Sequence, residues 1–187
     1  LNLARIFASS GKKVSVVDFD MHKPKVHKEL KIENKIGNST NLSNKTTFEN
    51  SIFEIEQDLF VISSGPVPPN PSELVLSSKV KDLFEYAKNN FDYMFIDTPP
   101  IGYISDALVL SSIVDHSIFV LNTSKANKKG ITFLEEVIKK SKIKSSAMVL
   151  NGLNKTKFSY YYGKYGYGYG YSYGYGYGYG QENQITQ

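Results

Sequence analysis

Five short apolar runs constrain this chain more than any other feature: Val14 to Asp18, Leu59 to Ser63, Tyr93 to Asp97, Ser117 to Asn122 and Ala147 to Asn151. Each has the length of a strand, and the runs are rich in Val, Ile and Phe. Most are apolar continuously instead of alternately, the pattern of strands covered on both faces. The segments between most of them are long enough for crossover helices. A parallel, doubly wound α/β sheet is the expected architecture.

Helix signals fall between these runs. Asn70 can cap a helix that has Pro71 at its first position and Glu73 at its third, leading into Leu74 and Val75. After a break near Ser77-Ser78 the pattern resumes with Val80, Leu83 and Phe84. Asp106 to Ile113 and Ile131 to Lys140 supply two more helices. The opening segment reads as an apolar helix face formed by Leu1, Leu3, Ala4, Phe7 and Ala8. Asn34 to Asn50, rich in Asn, Ser and Thr, reads as a loop with one helical turn.

From Tyr160 to Gly180 the composition changes abruptly to eleven tyrosines, eight glycines, Lys164 and Ser172. Glycine at nearly every second position raises the entropy that folding must overcome, and no aliphatic residue is present to build a core. Residues 1–157 are therefore expected to form one domain and 158–187 a disordered, mobile tyrosine-cluster tail. The 187 residues include no cysteine, which removes disulfides and thiolate metal sites. No apolar run approaches the roughly 20 residues of a membrane span. The net charge of +4 is spread over Lys-rich surfaces instead of forming an arginine-rich stripe, so no nucleic-acid partner is expected.

Two acidic motifs carry the chemistry. Asp18 and Asp20 close the first run as Val16-Val17-Asp18-Phe19-Asp20. If strand geometry persists, residues two apart project to one side, so both carboxylates leave the carboxyl edge together, where open α/β sheets bind ligands. Such a pair can hold a hydrated Mg²⁺, or one member can take a proton while the other holds the metal. A polar turn at a strand end explains this motif alone equally well. Asp97 closes a second run and is followed by Thr98-Pro99-Pro100, an acid after an apolar strand as in a Walker B motif. Together the two motifs favour nucleotide and Mg²⁺ binding. No GxxxxGK[ST] run, the phosphate-cradling loop expected before the first helix, occurs in the sequence. His22, His27 and His116 lack metal-ligand spacing and read as ordinary surface or partly buried residues. Ser105-Asp106 reads as a helix cap.

The succession Gly11-Lys12-Lys13-Val14, Asp18-Phe19-Asp20-Met21, Ser64-Gly65-Pro66-Val67-Pro68-Pro69-Asn70-Pro71-Ser72-Glu73-Leu74, Asp97-Thr98-Pro99-Pro100, Asp106-Ala107 and Leu150-Asn151-Gly152 resembles the bacterial tyrosine kinases of capsule and exopolysaccharide export. The segment from Gly65 to Leu74 discriminates most, because general partitioning ATPases share the fold but not that segment. The resemblance implies a P-loop NTPase-like, partitioning-ATPase-related fold that uses ATP and Mg²⁺. Leu1 to Ser10 then resembles the remainder of the helix that follows the missing loop.

By the same resemblance, Asp18 and Asp20 match the Walker A′ motif, one activating a tyrosine hydroxyl and Asp20 helping to hold Mg²⁺. Asp97 matches the Walker B acid that organises the metal, and Asn151 a position that contacts adenine. His22 stands where the family usually has arginine. Family members end in tyrosine clusters that neighbouring subunits phosphorylate, which assigns Tyr160, Tyr161, Tyr162, Tyr165, Tyr167, Tyr169, Tyr171, Tyr173, Tyr175, Tyr177 and Tyr179 as autophosphorylation sites. The implied partners are a homo-oligomeric ring, a membrane polysaccharide co-polymerase or activator, fused or separate, and a tyrosine phosphatase. The implied place is the cytoplasm, at the inner face of the plasma membrane. A partitioning-type regulatory ATPase and a non-catalytic scaffold with a sticky tail stand as the alternatives.

Overall fold

The computed structural model describes residues 1–102, 106–141, 143 and 145–153. The tail and every tyrosine assigned to it lie outside the described residues. Strands β1 (Val14–Asp18), β3 (Leu59–Ile62), β4 (Tyr93–Asp97), β5 (Ser117–Asn122) and β6 (Ser146–Asn151) fall on the five apolar runs. A further strand, β2 (Ile52–Glu56), was not expected. It runs antiparallel to β3, giving a four-stranded mixed sheet in the order β2-β3-β1-β4. Strands β5 and β6 pair in parallel with one another as a separate two-stranded sheet.

Helices α1 (Asn2–Ser9), α2 (Val26–Leu30), α3 (Asn38–Leu42), α4 (Pro71–Leu76), α5 (Lys79–Asn90), α6 (Asp106–Ser111) and α7 (Lys128–Lys140) complete the described elements, with a short 3₁₀ turn at Glu49–Ser51. The break at Ser77-Ser78 separates α4 from α5 as the sequence predicts. The Asn/Ser/Thr-rich stretch carries one short helical turn, α3, as the sequence predicts. Asn38, Ser39, Asn41 and Leu42 of α3 are buried.

Alternation along the strands divides the core in two. Val14 and Val16 of β1, with Leu59 and Val61 of β3, pack with Ala4 of α1 and Val26 of α2 on one face. Val17 and Ile62 pack with Leu42, Leu74, Val75, Val80, Leu83 and Leu110 of α3 to α6 on the other. Burying a residue of this size contributes about 1.5–3 kcal/mol, so β1, buried at all five positions, anchors the sheet. Helix α1 faces inward with Leu1, Ala4, Phe7 and Ala8. Leu3, expected on that face, is largely exposed, because it sits a turn-fraction away from the stripe at positions 1, 4, 7 and 8.

Candidate active site

Parallel pairing of β1 with β4 sets the site. The register places Asp18 opposite Asp97 at the carboxyl ends of adjacent strands, and the Phe19 amide donates to the Asp97 carbonyl at 2.8 Å. Asp20 follows two residues later, so three carboxylates converge on one edge.

The two acids of the first motif do not leave the strand side by side, as strand geometry would have it. The strand ends at Asp18, and the chain turns at once, with the Met21 amide donating to the Phe19 carbonyl at 2.9 Å. The Asp20 amide donates to Asp18 Oδ1 at 2.9 Å. Asp18 is thereby drawn inward and is fully buried, while its Oδ2 has no hydrogen-bond partner. Asp20 stays half-buried, and its Oδ1 accepts from the Lys23 amide at 3.0 Å. One acid is a buried group with one unspent oxygen. The other lines the surface of the turn.

Electrostatics separates them further. Burial pushes the Asp18 carboxyl from 3.8 up to about 6, and the Asp97 and Asp20 charges add to the rise. The hydrogen bond from the Asp20 amide, and to a lesser degree the Ser64 hydroxyl nearby, pulls against it. Asp97 is also raised, chiefly by desolvation, with the charges of Asp20 and Glu29 adding to the rise. A carboxyl titrating near neutrality is suited to take a proton from a substrate hydroxyl.

Among the described residues, no group of three or more His, Asp or Glu closes a metal cage. An open pair of carboxylates suits Mg²⁺, which keeps several waters and is completed by substrate phosphates. Asp20 and Asp97, at the ends of the turn and of β4, fit that arrangement.

The other predicted residues fall elsewhere. Asn151 ends β6 in register with Asn122 of β5, on the separate two-stranded sheet. Ser105 lies outside the described residues. Asp106 is the first residue of α6, where the sequence places a helix start, and is only 2% exposed. Its Oδ2 stands 3.4 Å from His22 Nε2, so His22 leans on the start of α6. His27 is half-buried and His116 exposed.

Sequence reasoning missed Asn34, Asn38 and Ser64. Asn38 Nδ2 donates to the Asp18 carbonyl at 3.4 Å, and the Ser64 hydroxyl reaches the Asp18 carboxyl. The signal was present for Ser64, a small polar residue directly after an apolar strand. Asn38 was hidden in a stretch whose composition reads as loop.

A family model described as an AAA domain matches residues 1–150. CapB of Staphylococcus aureus is 39% identical over 166 residues, which cover 88% of this chain and 73% of that protein. The tyrosine-protein kinase YwqD of Bacillus subtilis is 37% identical, covering 88% of this chain and 70% of that protein. Among solved structures, the chimerical protein CapA2B2 superposes with a TM-score of 0.79 at 37% identity, covering 82% of this chain and 69% of that one. The kinase domain of the Escherichia coli tyrosine kinase ETK gives 0.78 at 30% identity, covering 91% and 65%. The MinD cell division protein of Aquifex aeolicus, 18% identical with a TM-score of 0.66 and coverage of 85% and 64%, shares the fold. On these matches, the chain belongs to the bacterial tyrosine-protein kinases.

Proposed function

We propose that this chain transfers the γ-phosphoryl group of ATP to tyrosyl hydroxyls, those of Tyr160 to Tyr179 foremost, on its own or a neighbouring subunit's tail. The observation that carries this reading is the register of Asp18 against Asp97, which gathers three carboxylates at one strand edge and raises the buried one toward neutrality. Asp18 takes the proton as the phenolic oxygen attacks the γ-phosphorus, and ADP leaves with the bridging oxygen. Asp20 and Asp97 would hold a hydrated Mg²⁺, which when bound neutralises phosphate charge. Asn151 is proposed to touch the adenine. The sequence contains no glycine-rich phosphate loop, so these residues account for the acid end of the site and not for phosphate cradling.

The tail supports a regulatory reading. Its 21 residues, Tyr160 to Gly180, stretch to about 70 Å when extended, enough to reach a neighbouring subunit. Each phosphate adds about −1.5 to −2 charge, so a few modified tyrosines overturn the net +4 of the chain. Unmodified tails would dock into adjacent protomers and close a ring, and phosphorylated tails would release it, with a tyrosine phosphatase resetting the cycle. In this reading the ring works at the inner membrane face with a polysaccharide co-polymerase or activator, fused or separate, to control capsule or exopolysaccharide polymerisation and export. No helix among the described residues is long and apolar enough to cross a membrane.

The test is phosphotyrosine mapping by mass spectrometry after incubating the full-length protein with ATP and Mg²⁺. Phosphate on the tail, abolished by chelation and reduced about 10²–10⁴-fold in Asp18→Asn, is the expected outcome. Hydrolysis of ATP without tail modification would favour a partitioning-type ATPase, and neither activity a non-catalytic scaffold.

A further inference from the structure

Beneath Asp18 lies an arrangement that the phosphotransfer reading does not use. Two segments far apart in sequence, residues 34–39 and 63–66, are fastened together directly behind the acid. The Asn34 side chain closes a two-bond ring on Gly65, its Nδ2 donating to the Gly65 carbonyl at 2.7 Å and its Oδ1 accepting the Gly65 amide at 2.9 Å. The Asn38 and Ser39 amides donate to the Ser63 and Ser64 carbonyls at 2.7 and 2.8 Å. The Ser39 hydroxyl donates to the Pro66 carbonyl at 2.7 Å.

The approach is close enough to exclude any side chain at one point. A Cβ on Gly37 would lie 2.4 Å from both the Gly65 nitrogen and the Ser63 oxygen. Gly65 itself adopts φ +76°, a left-handed conformation that glycine takes without strain.

This clasp ends on Asp18 from two sides. Asn38, with no exposed surface, donates to the Asp18 carbonyl and keeps its Oδ1 without a partner. Ser64, equally buried, has its hydroxyl 3.4 Å from the Gly65 carbonyl and within reach of the Asp18 carboxyl. A buried polar group is costly unless satisfied, so two such residues, one on the Asp18 carbonyl and one beside its carboxyl, imply that the fold is organised around this residue.

We infer that the clasp between residues 34–39 and 63–66 is the positioning element for Asp18, with Asn38 and Ser64 as its contacts on the acid and Asn34 as its lock. Ser64, Gly65 and Pro66 open the proline-rich segment on which the resemblance to the kinases most rests. That segment thus begins beside the acid proposed to accept the tyrosyl proton. The inference rests on that role for Asp18 only in its kinetic arm; the placement of the carboxylate can be read without it.

The test uses Ser64→Ala and Asn34→Ala in the full-length protein, with Ser64→Thr as the conservative variant that restores the hydroxyl. The first readout is hydrogen exchange of the Asp20 amide, which is held by Asp18 Oδ1. Both alanine variants should speed that exchange about tenfold with core amides of β1 unchanged, and Ser64→Thr should return it toward the parent rate. The second readout is tail phosphorylation, where Ser64→Ala should lower kcat about tenfold and leave the KM for ATP within about twofold. Unchanged Asp20 exchange in both folded alanine variants would overturn the inference. If the parent protein transfers no phosphate, the proposed function fails and the exchange result alone decides this one. If Asn34→Ala does not fold, the Ser64 pair decides.

Discussion

Strands β1 and β6 look alike as text and differ completely as structure. Each is a short apolar run ending in a polar residue that faces the carboxyl edge, Asp18 in one and Asn151 in the other. All five residues of β1 are buried, and all six of β6 are exposed. The reason is neighbours. Strand β1 has β3 on one side, β4 on the other and helices over both faces, whereas among the described residues β6 pairs with β5 alone. Apolar periodicity reports that a segment can form a strand; how much water it loses depends on what the rest of the chain lays against it.

The sharpest way to break this comparison is to place the same charge in both strands. Val16→Asp, at a position 2% exposed, should unfold the protein by a loss of about 4 kcal/mol or more, read as a collapse of the denaturation midpoint. Val149→Asp, at a position 44% exposed, should cost less than about 1 kcal/mol. Equal losses would mean that β6 is covered in solution.

A smaller effect follows from the acid that ends β1. Moving the Asp18 carboxyl from 3.8 to about 6 costs the folded state about 3 kcal/mol once the group is ionised. The folded form binds the proton more tightly than the unfolded form. The contribution of Asp18 to stability is therefore most favourable below pH 4, falls between about pH 4 and 6, and stays unfavourable above. Asp97 adds in the same direction. Asp18→Asn should flatten its share of that slope and raise the melting temperature at pH 7 while abolishing activity. A melting temperature independent of pH from 4 to 6 in the parent would contradict the burial that distinguishes β1.

Glycine substitutions sharpen the contrast further. Gly37→Ala, which forces a Cβ onto two backbone atoms, should cost about 2–3 kcal/mol by chemical denaturation. Gly152→Ala, at the end of β6, meets nothing closer than 3.5 Å and pays only for its φ of +76°, about 1 kcal/mol. The smallest effect belongs to Arg5→Ala, which removes a half-exposed pair with Glu56 at 2.8 Å between α1 and β2. About 0.5 kcal/mol, shrinking with added salt, is expected from a double-mutant cycle.

The same physics explains what was legible. Strands buried on both faces announce themselves by unbroken apolar runs, and Pro71 and the Ser77-Ser78 break mark helix limits through their own backbone chemistry. Strand β2 did not, because Ile52-Phe53-Glu54-Ile55-Glu56 alternates at a sheet edge and merges with the polar stretch before it. Helix α3 was obscured for the opposite reason: Asn38 and Asn41 are buried although their residue types favour water. The acids could be found from sequence, since strand ends collect them. Their unequal burial could not, because it depends on a turn beginning immediately after Asp18 and on a clasp whose halves lie about thirty residues apart in the chain.

The hydrogen bond from the Asp20 amide to Asp18 Oδ1 has a stereochemical consequence. A freely rotating carboxylate offers two interchangeable oxygens, and either can receive a proton from any direction. Here rotation would break the bond that holds the turn, so the symmetry of the group is lost and the oxygens become distinct atoms. One belongs to the backbone's architecture. Proton arrival is left to Oδ2, and because that oxygen is covered, any hydroxyl that gives up its proton to Asp18 must first part the residues over it.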